Sequence, residues 1–95
     1  MEFEWDEEKN KINKQKHHIS FEVAARVFED NDRIEMYDSL HSNLEEDRFI
    51  TIGKVKEILF VVYTERNEKT RLISARLAES DERRLYNNAN SELHA

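Results

Sequence analysis

The stretch "ILFVVYTER", residues 58–66, is the most apolar segment of the chain and decides how the rest is arranged. Its first residues are apolar on both faces, as a strand in the middle of a sheet covered on both sides requires. Toward its end, alternation places Thr64 and Arg66 on the face of Val62, and Glu65 on the other face. The stretch therefore predicts a central strand with polar chemistry at one end.

Three further segments predict strands: "RIEMYDS" (33–39), "RFITIGKV" (48–55) and "TRLISARLA" (70–78). The short turns between most of these segments imply an antiparallel sheet. Simple alternation in the last strand puts Leu72, Ser74 and Arg76 on one face. It puts Arg71 on the opposite face.

The remaining segments predict a short strand at residues 3–6 and three helices, at residues 6–17, 21–29 and 80–95. Ser20 and Ser80 are the expected N-caps of the second and third helices. Ile12 is nearly the only apolar residue of the first helix, so this helix must lie mostly on the surface. The predicted fold is a single α+β domain over residues 1–95, with a tail that frays from about residue 90.

The composition of the chain restricts the classes of function. The 95 residues suit one domain, and 21 acidic against 15 basic residues give a net charge of -6. Proteins that bind nucleic acid by charge alone show the opposite balance, so RNA binding here needs a local basic patch. The chain has no cysteine, which excludes disulfides and thiol catalysis. No apolar run is long enough to span a membrane and the start is no secretory signal, so we expect a cytoplasmic protein without a membrane partner.

Two arginines stand near the ends of otherwise apolar strands. Arg66 and Arg76 must be paired or functional there, because arginine is rarely buried alone. One interpretation is an ion pair with Glu65 or Glu82. The other is a functional site that uses the guanidinium groups.

A cationic segment precedes the second helix. Lys9 and Lys16 fall on one helix face about two turns apart, Trp5 lies nearby, and His17 follows Lys16. Basic residues beside an aromatic ring are typical of a nucleotide-binding surface. Mixed charges on a helix are also typical of a solvated face, and His17 can equally be a surface or packing residue.

The four histidines show no pair at the i, i+4 spacing of a helical zinc site. His41 lies in a polar connection near several carboxylates, which suits a general acid or base, and a solvated loop histidine fits equally well. The acidic run at residues 45–47 is the sole candidate for a metal-dependent nuclease, and a solvated loop explains it better. We therefore expect neither a metal nor a cofactor.

Several motifs together resemble the BrnT family of toxins from type II toxin–antitoxin systems. They are W-D-x-x-K, K-H-x-I-S-F-x-x-A, H-S-x-x-E-E, Y-T-E-R and I-S-A-R, and the resemblance runs from about Phe3 to Tyr86. It implies a RelE-like fold, with an antiparallel sheet, two N-terminal helices and one C-terminal helix. It also implies a ribonuclease that stops translation. The implied partner is a BrnA antitoxin with a ribbon-helix-helix DNA-binding domain, in a complex of two toxins and two antitoxins that represses its own operon.

The chain departs from the family pattern at three places. His18 and Asn67 stand where glycine is common, and "EEDRF" has one residue more than the usual "EERF". Asn67 tolerates a positive φ, so its turn is expected to survive. His18 is expected to alter the turn between the first two helices or to cap the first one.

The resemblance leads to a hypothesis of RNA cleavage by the substrate's own 2′-hydroxyl, without a metal. Such an enzyme needs a base, an acid and cations that hold the phosphate. In this hypothesis Arg66 and Arg76 hold the phosphate, and Glu65 or His41 acts as base or acid. Thr64 donates a hydrogen bond to a phosphate oxygen. The remaining residues bind the rest of the RNA: Lys9 and Lys16 follow the backbone, His17 contacts a phosphate, and Trp5 stacks on a base.

The rival hypothesis is a non-catalytic interaction module, or a co-repressor partner of a DNA-binding antitoxin. DNA is contacted only through the antitoxin on either view. Catalysis requires Lys9, Arg66, Arg76 and an acid–base group to converge on one concave surface. A binding module can scatter them.

Overall fold

The protein, described here by a computed structural model, is built around one five-stranded sheet with helices on its faces and edge. The structure describes the backbone of residues 1–94 and the side chains of residues 1–91. The strands are β1 (Phe3–Glu4), β2 (Ile34–Tyr37), β3 (Arg48–Lys54), β4 (Ile58–Arg66) and β5 (Lys69–Leu77). The helices are α1 (Glu7–His17), α2 (Phe21–Ala24), a 3-10 helix (Ala25–Glu29) that follows α2 directly, and α3 (Ser80–His94).

The sheet has the order β1-β5-β4-β3-β2, so the apolar strand β4 is central, as its composition predicts. Strands β2 to β5 pair antiparallel. β1 pairs parallel with β5, through Phe3 beside Thr70 and Glu4 beside Arg71. The sheet is therefore mixed, and the expectation of a purely antiparallel sheet is corrected at this edge.

One face of the sheet forms the main core. Phe21, Ala24 and Val27 project from α2 and the 3-10 helix and are fully buried against Val61 of β4. The 3-10 helix lies so close to β3 that a Cβ atom at Gly53 would stand 3.1 Å from the Cβ of Val27. Burying these side chains is the largest favourable term in holding the helices on the sheet.

The first helix is held by asparagines. Asn13 donates from Nδ2 to the Ala75 carbonyl at 2.9 Å and accepts from the Ala75 amide at 3.1 Å, as a neighbouring strand would. Asn10 accepts from the Phe21 amide at 2.8 Å. Ile12 is 52% exposed and only borders a shallow cleft beside β5, so the sequence pattern did not identify what fixes α1.

A β-bulge in β5 changes which residues share a face. Val62 pairs with Ser74, but Tyr63 pairs with Leu72, so Ile73 is the extra residue. Leu72 is thereby turned into the main core, away from Ser74 and Arg76. The prediction that these three residues share a face was wrong, because a bulge reverses the alternation beyond it.

The turns and helix ends tolerate the unusual residues of the chain. His18 adopts a left-handed conformation with φ of 60° and caps α1, its amide donating to the Lys14 carbonyl. Asn67 also has a positive φ, of 53°, so its turn survives. Ser20 caps α2 as predicted, by accepting from the Val23 amide.

The C-terminal helix covers one end of the second sheet face. Its N-cap is Glu79 and not Ser80, since the Glu79 carbonyl accepts from the Arg83 amide at 2.8 Å. Tyr86 donates to Asp30 Oδ2 at 2.6 Å, which ties α3 to the end of the 3-10 helix. The fraying expected from about residue 90 lies mostly beyond the described side chains and stays a prediction. Within the described part of the chain, no helix is long and apolar enough to cross a membrane.

Candidate active site

The bulge creates a row of polar residues across the face of the sheet opposite the main core. Arg48 of β3 and Arg71 of β5 are the direct cross-strand partners of Thr64 on β4. Neighbouring strands lie about 4.8 Å apart, so the two arginines flank Thr64 at about 10 Å from each other. We call Arg48, Thr64 and Arg71 the basic row. Simple alternation places Arg71 on the wrong face, and sequence reasoning missed both arginines.

Thr64 is the buried centre of this row. Its hydroxyl donates to the Asp47 carbonyl at 2.6 Å, and 3% of the residue is exposed. The hydroxyl proton is thus committed to the backbone, and Thr64 fixes the chain just before β3. The predicted hydrogen bond to a phosphate oxygen has no free proton available in this arrangement.

Carboxylates orient the arginines at this end of the sheet. Glu46 accepts from Nε of Arg48 at 3.0 Å and from Nη2 of Arg66 at 3.4 Å. Glu4 accepts from Nη1 of Arg71 at 2.7 Å. The hydrogen bond from Arg48 lowers the pKa of Glu46, so this carboxylate is charged at neutral pH.

His41 stands at the β2 end of the row and is held by Asp38. The Asp38 amide donates to the Arg48 carbonyl at 2.8 Å, which places Asp38 opposite Arg48. Oδ2 of Asp38 lies 2.9 Å from Nδ1 of His41. Asp38 is nearly buried and the His41 side chain is 61% exposed. Sequence reasoning missed Asp38, although its D-x-x-H spacing to His41 was a usable signal.

Three of the predicted residues meet in one cleft beside the basic row. Thr64, Glu65 and Arg66 line it together with Phe49 and the acidic run at residues 45–47. The Arg66 side chain is 53% exposed, with Glu46 as its ion-pair partner. The acidic run thus belongs to an arginine-bearing cleft. Among the described side chains, no group of three or more histidines and carboxylates could hold a metal ion.

Arg76 lies at the far end of the same face and is held by a two-pronged ion pair. Its guanidinium donates to Glu82 through Nη1 at 2.7 Å and Nη2 at 2.9 Å, and stands 4.1 Å above the Phe60 ring. Donating these hydrogen bonds to Glu82 raises the pKa of Arg76. Phe60, the partner of Arg76, is about 20 Å along β4 from Arg66, so the two arginines do not meet on one phosphate.

The predicted basic side chains of α1 do come together. Lys9, Lys16 and His17 line a shallow cleft with Ile73 and Ser74 of the bulge. Partial burial, followed by the charges of Lys16, Arg76 and His18, lowers the pKa of His17. This cleft is a second cationic surface, on the β5 side of the molecule. Lys9 therefore does not converge with Arg66 and Arg76 on one concave surface, as catalysis by that set would require.

Trp5 is used in packing. Its ring meets the Phe21 ring edge-on with centroids 6.1 Å apart, and Nε1 donates to Glu7 at 2.6 Å. Phe21 belongs to the main core, on the face opposite to the basic row. One side of the indole therefore packs on the core. Little of the Trp5 ring surface is left for the predicted stacking of an RNA base.

Comparison with known proteins identifies the family. The chain resembles the crystal structure of the Brucella abortus ribonuclease toxin BrnT with a TM-score of 0.62 and 23% identity, over 84% of this chain and 99% of that one. This likeness shows that the two share a fold. No curated protein sequence matches the chain. The sequence model described as the ribonuclease toxin BrnT of type II toxin–antitoxin systems matches residues 5–82. The chain therefore belongs to the BrnT family of ribonuclease toxins.

Proposed function

We propose that the protein is a metal-independent endoribonuclease that inhibits translation by cutting RNA. The observation that carries the proposal is the pairing of exposed His41 with buried Asp38 beside the basic row. A histidine held through Nδ1 presents Nε2 to a substrate, as an acid–base group must. Among the described residues, none hydrogen-bonds Nε2 of His41.

The reaction proceeds through the RNA's own 2′-hydroxyl. A base accepts the 2′-hydroxyl proton, and the 2′-oxygen attacks phosphorus. The bond from phosphorus to the 5′-oxygen breaks, and an acid returns a proton to that oxygen, which leaves a 2′,3′-cyclic phosphate and a 5′-hydroxyl. His41 and Glu65 supply the base and the acid, and Arg66 stabilises the charge that develops on the phosphate. Glu65 leaves the opposite face of β4 and meets Arg66 only at the cleft where the strand ends.

The cleft of Lys9, Lys16 and His17 extends the RNA-binding surface and contacts the sugar–phosphate backbone of the RNA. A net charge of -6 makes long-range attraction to RNA weak, so binding must depend on such local patches. Arg76, with its donors engaged by Glu82, supports the sheet and α3 and does not contact the scissile phosphate.

The partner in this proposal is a BrnA-like antitoxin with a ribbon-helix-helix domain, in a complex of two toxins and two antitoxins in the cytoplasm. Membership of a type II toxin family supports an antitoxin partner. The acidic toxin is complementary to a basic partner, which speeds association. The complex reaches DNA only through the antitoxin.

Induction in bacteria without antitoxin tests the proposal. The wild type, His41→Ala and a control, Lys56→Ala at the exposed β3–β4 turn, are expressed to equal soluble levels. Growth arrest with RNA loss is expected for the wild type and the control only, and purified wild type should cut RNA in EDTA. Intact RNA with all three proteins would instead favour the non-catalytic interaction module.

A further inference from the structure

We infer that Arg48 and Arg71 form a clamp for one phosphodiester group of a bound RNA strand, above the buried hydroxyl of Thr64. This inference rests on the proposed ribonuclease function and names the site that holds the substrate. The clamp is distinct from the pair of Arg66 and Arg76, which strand geometry keeps apart.

The register of three strands builds the clamp. Arg48 and Arg71 are both partners of Thr64, so their side chains leave the same face of the sheet on either side of it. A separation of about 10 Å at the backbone suits two guanidinium groups that approach one phosphate from opposite sides. Thr64, between them on the central strand, is nearly buried but lines the cleft of Arg66 and the acidic run, so the clamp lies beside that cleft.

The free donors of the two arginines fit phosphate oxygens. Among the described contacts, Arg48 uses only Nε and Arg71 uses only Nη1, so each keeps donors for a ligand. Their side chains are 33% and 28% exposed. Each guanidinium is already oriented by a glutamate, Arg71 by Glu4 of β1 and Arg48 by Glu46, which also pairs with Arg66 of β4. This orientation lowers the entropy lost when a phosphate binds.

The position of His41 connects the clamp to chemistry. Asp38 is hydrogen-bonded to the backbone of Arg48, so the His41–Asp38 pair adjoins one arm of the clamp. A phosphodiester between the two guanidinium groups lies within the same row as this acid–base group. The cleft of Lys9, Lys16 and His17 borders the Arg71 side of the sheet through Ser74. The RNA strand can therefore continue from the clamp into this cleft.

Binding of a non-cleavable RNA tests the clamp. The probe is a short fluorescent single strand with 2′-O-methyl groups, titrated by anisotropy at several salt concentrations. Arg48→Gln and Arg71→Gln should each weaken binding about tenfold and lower the salt slope by about one. Arg26→Gln, on the exposed 3-10 helix, is the matched control and should bind as the wild type does. Inorganic phosphate alone should compete only weakly, since it lacks the rest of the strand.

A second measurement keeps the test independent of variant folding. Adding the same RNA to the ¹⁵N-labelled wild type should shift the amides of Arg48, Thr64 and Arg71 most. The clamp would be overturned by shifts confined to the Lys9 and Lys16 cleft. It would also be overturned by tight binding of the folded double variant Arg48→Gln/Arg71→Gln. RNA cleavage by the wild type would still support the ribonuclease in either case. A wild type that neither binds nor cuts RNA would overturn both.

Discussion

The carboxylate of Asp38 lies 2.9 Å from Nδ1 of His41, and it also accepts the His41 backbone amide at 3.3 Å. A nearly buried carboxylate therefore fixes both the loop and the ring of an exposed histidine. This contact selects the tautomer with hydrogen on Nδ1 and leaves Nε2 as the acceptor. The same logic orients catalytic histidines in unrelated hydrolases.

Replacing Asp38 by asparagine should leave the protein folded and lower RNA cleavage by about 100-fold. The amide NH2 can donate to Nδ1, which stabilises the ring tautomer with hydrogen on Nε2. Long-range ¹H–¹⁵N spectra of the His41 ring should show a larger share of that tautomer. Asp81→Asn, in the exposed first turn of α3, is the control. Unchanged tautomer and unchanged cleavage in Asp38→Asn would show that Asp38 does not position the ring.

Replacing Asn13 by leucine should lower the free energy of unfolding by about 2–4 kcal/mol, because the Ala75 amide and carbonyl lose their buried partner. Urea unfolding measures the loss, and the Ala75 amide should exchange its hydrogen faster. Ile12→Ala on the exposed face of the same helix should cost little. Equal losses in the two variants would mean that general helix packing, and not the asparagine, holds α1.

The contrast between Asn13 and Ile12 shows what a sequence pattern can reveal. β4 was predicted at its observed bounds because burial on both faces leaves a continuous apolar run. The attachment of α1 was not predictable, since two asparagines on a polar helix look like a solvated surface. Asn13 bonds a strand 62 residues away in sequence, and Asn10 bonds the start of α2.

The candidate site combines residues that local motifs select with residues that they miss. His41, Glu65 and Arg66 do lie at one end of the sheet, and local motifs were enough to select them. Arg71 was assigned to the wrong face because the bulge at Ile73 has no local signature and is set by pairing with β4. One inserted residue reverses every side chain beyond it, so a face assignment is only as reliable as the register.

Replacing Glu82 by glutamine should remove part of the pH dependence of stability. The ion pair with Arg76 holds the pKa of Glu82 below its ordinary value of 4.5. Its contribution is therefore present above pH 4.5 and is lost as the pH falls through the lower folded value. The wild type should exceed the variant by about 1 kcal/mol at neutral pH, and the difference should shrink in acid.

Urea unfolding at neutral and acid pH, with Glu57→Gln at the exposed β3–β4 turn as the control, measures this difference. The control carries the same change of charge without an ion pair among the described residues. A difference between wild type and Glu82→Gln that stayed constant from neutral to acid pH would contradict the assigned role of the pair.

Replacing Arg76 by lysine should separate support of the fold from contact with RNA. Lysine keeps the charge but loses the two-pronged pair with Glu82 and the flat contact with Phe60. We expect a loss of about 1–2 kcal/mol in the free energy of unfolding and little change in cleavage per folded molecule.

Arg48→Lys should show the reverse, with stability nearly kept and cleavage reduced, because its guanidinium is only partly engaged by Glu46. Comparing initial rates of RNA cleavage with unfolding curves for the two variants decides the matter. A folded Arg76→Lys protein with cleavage more than about tenfold slower would place Arg76 on the RNA and restore it to the reacting centre.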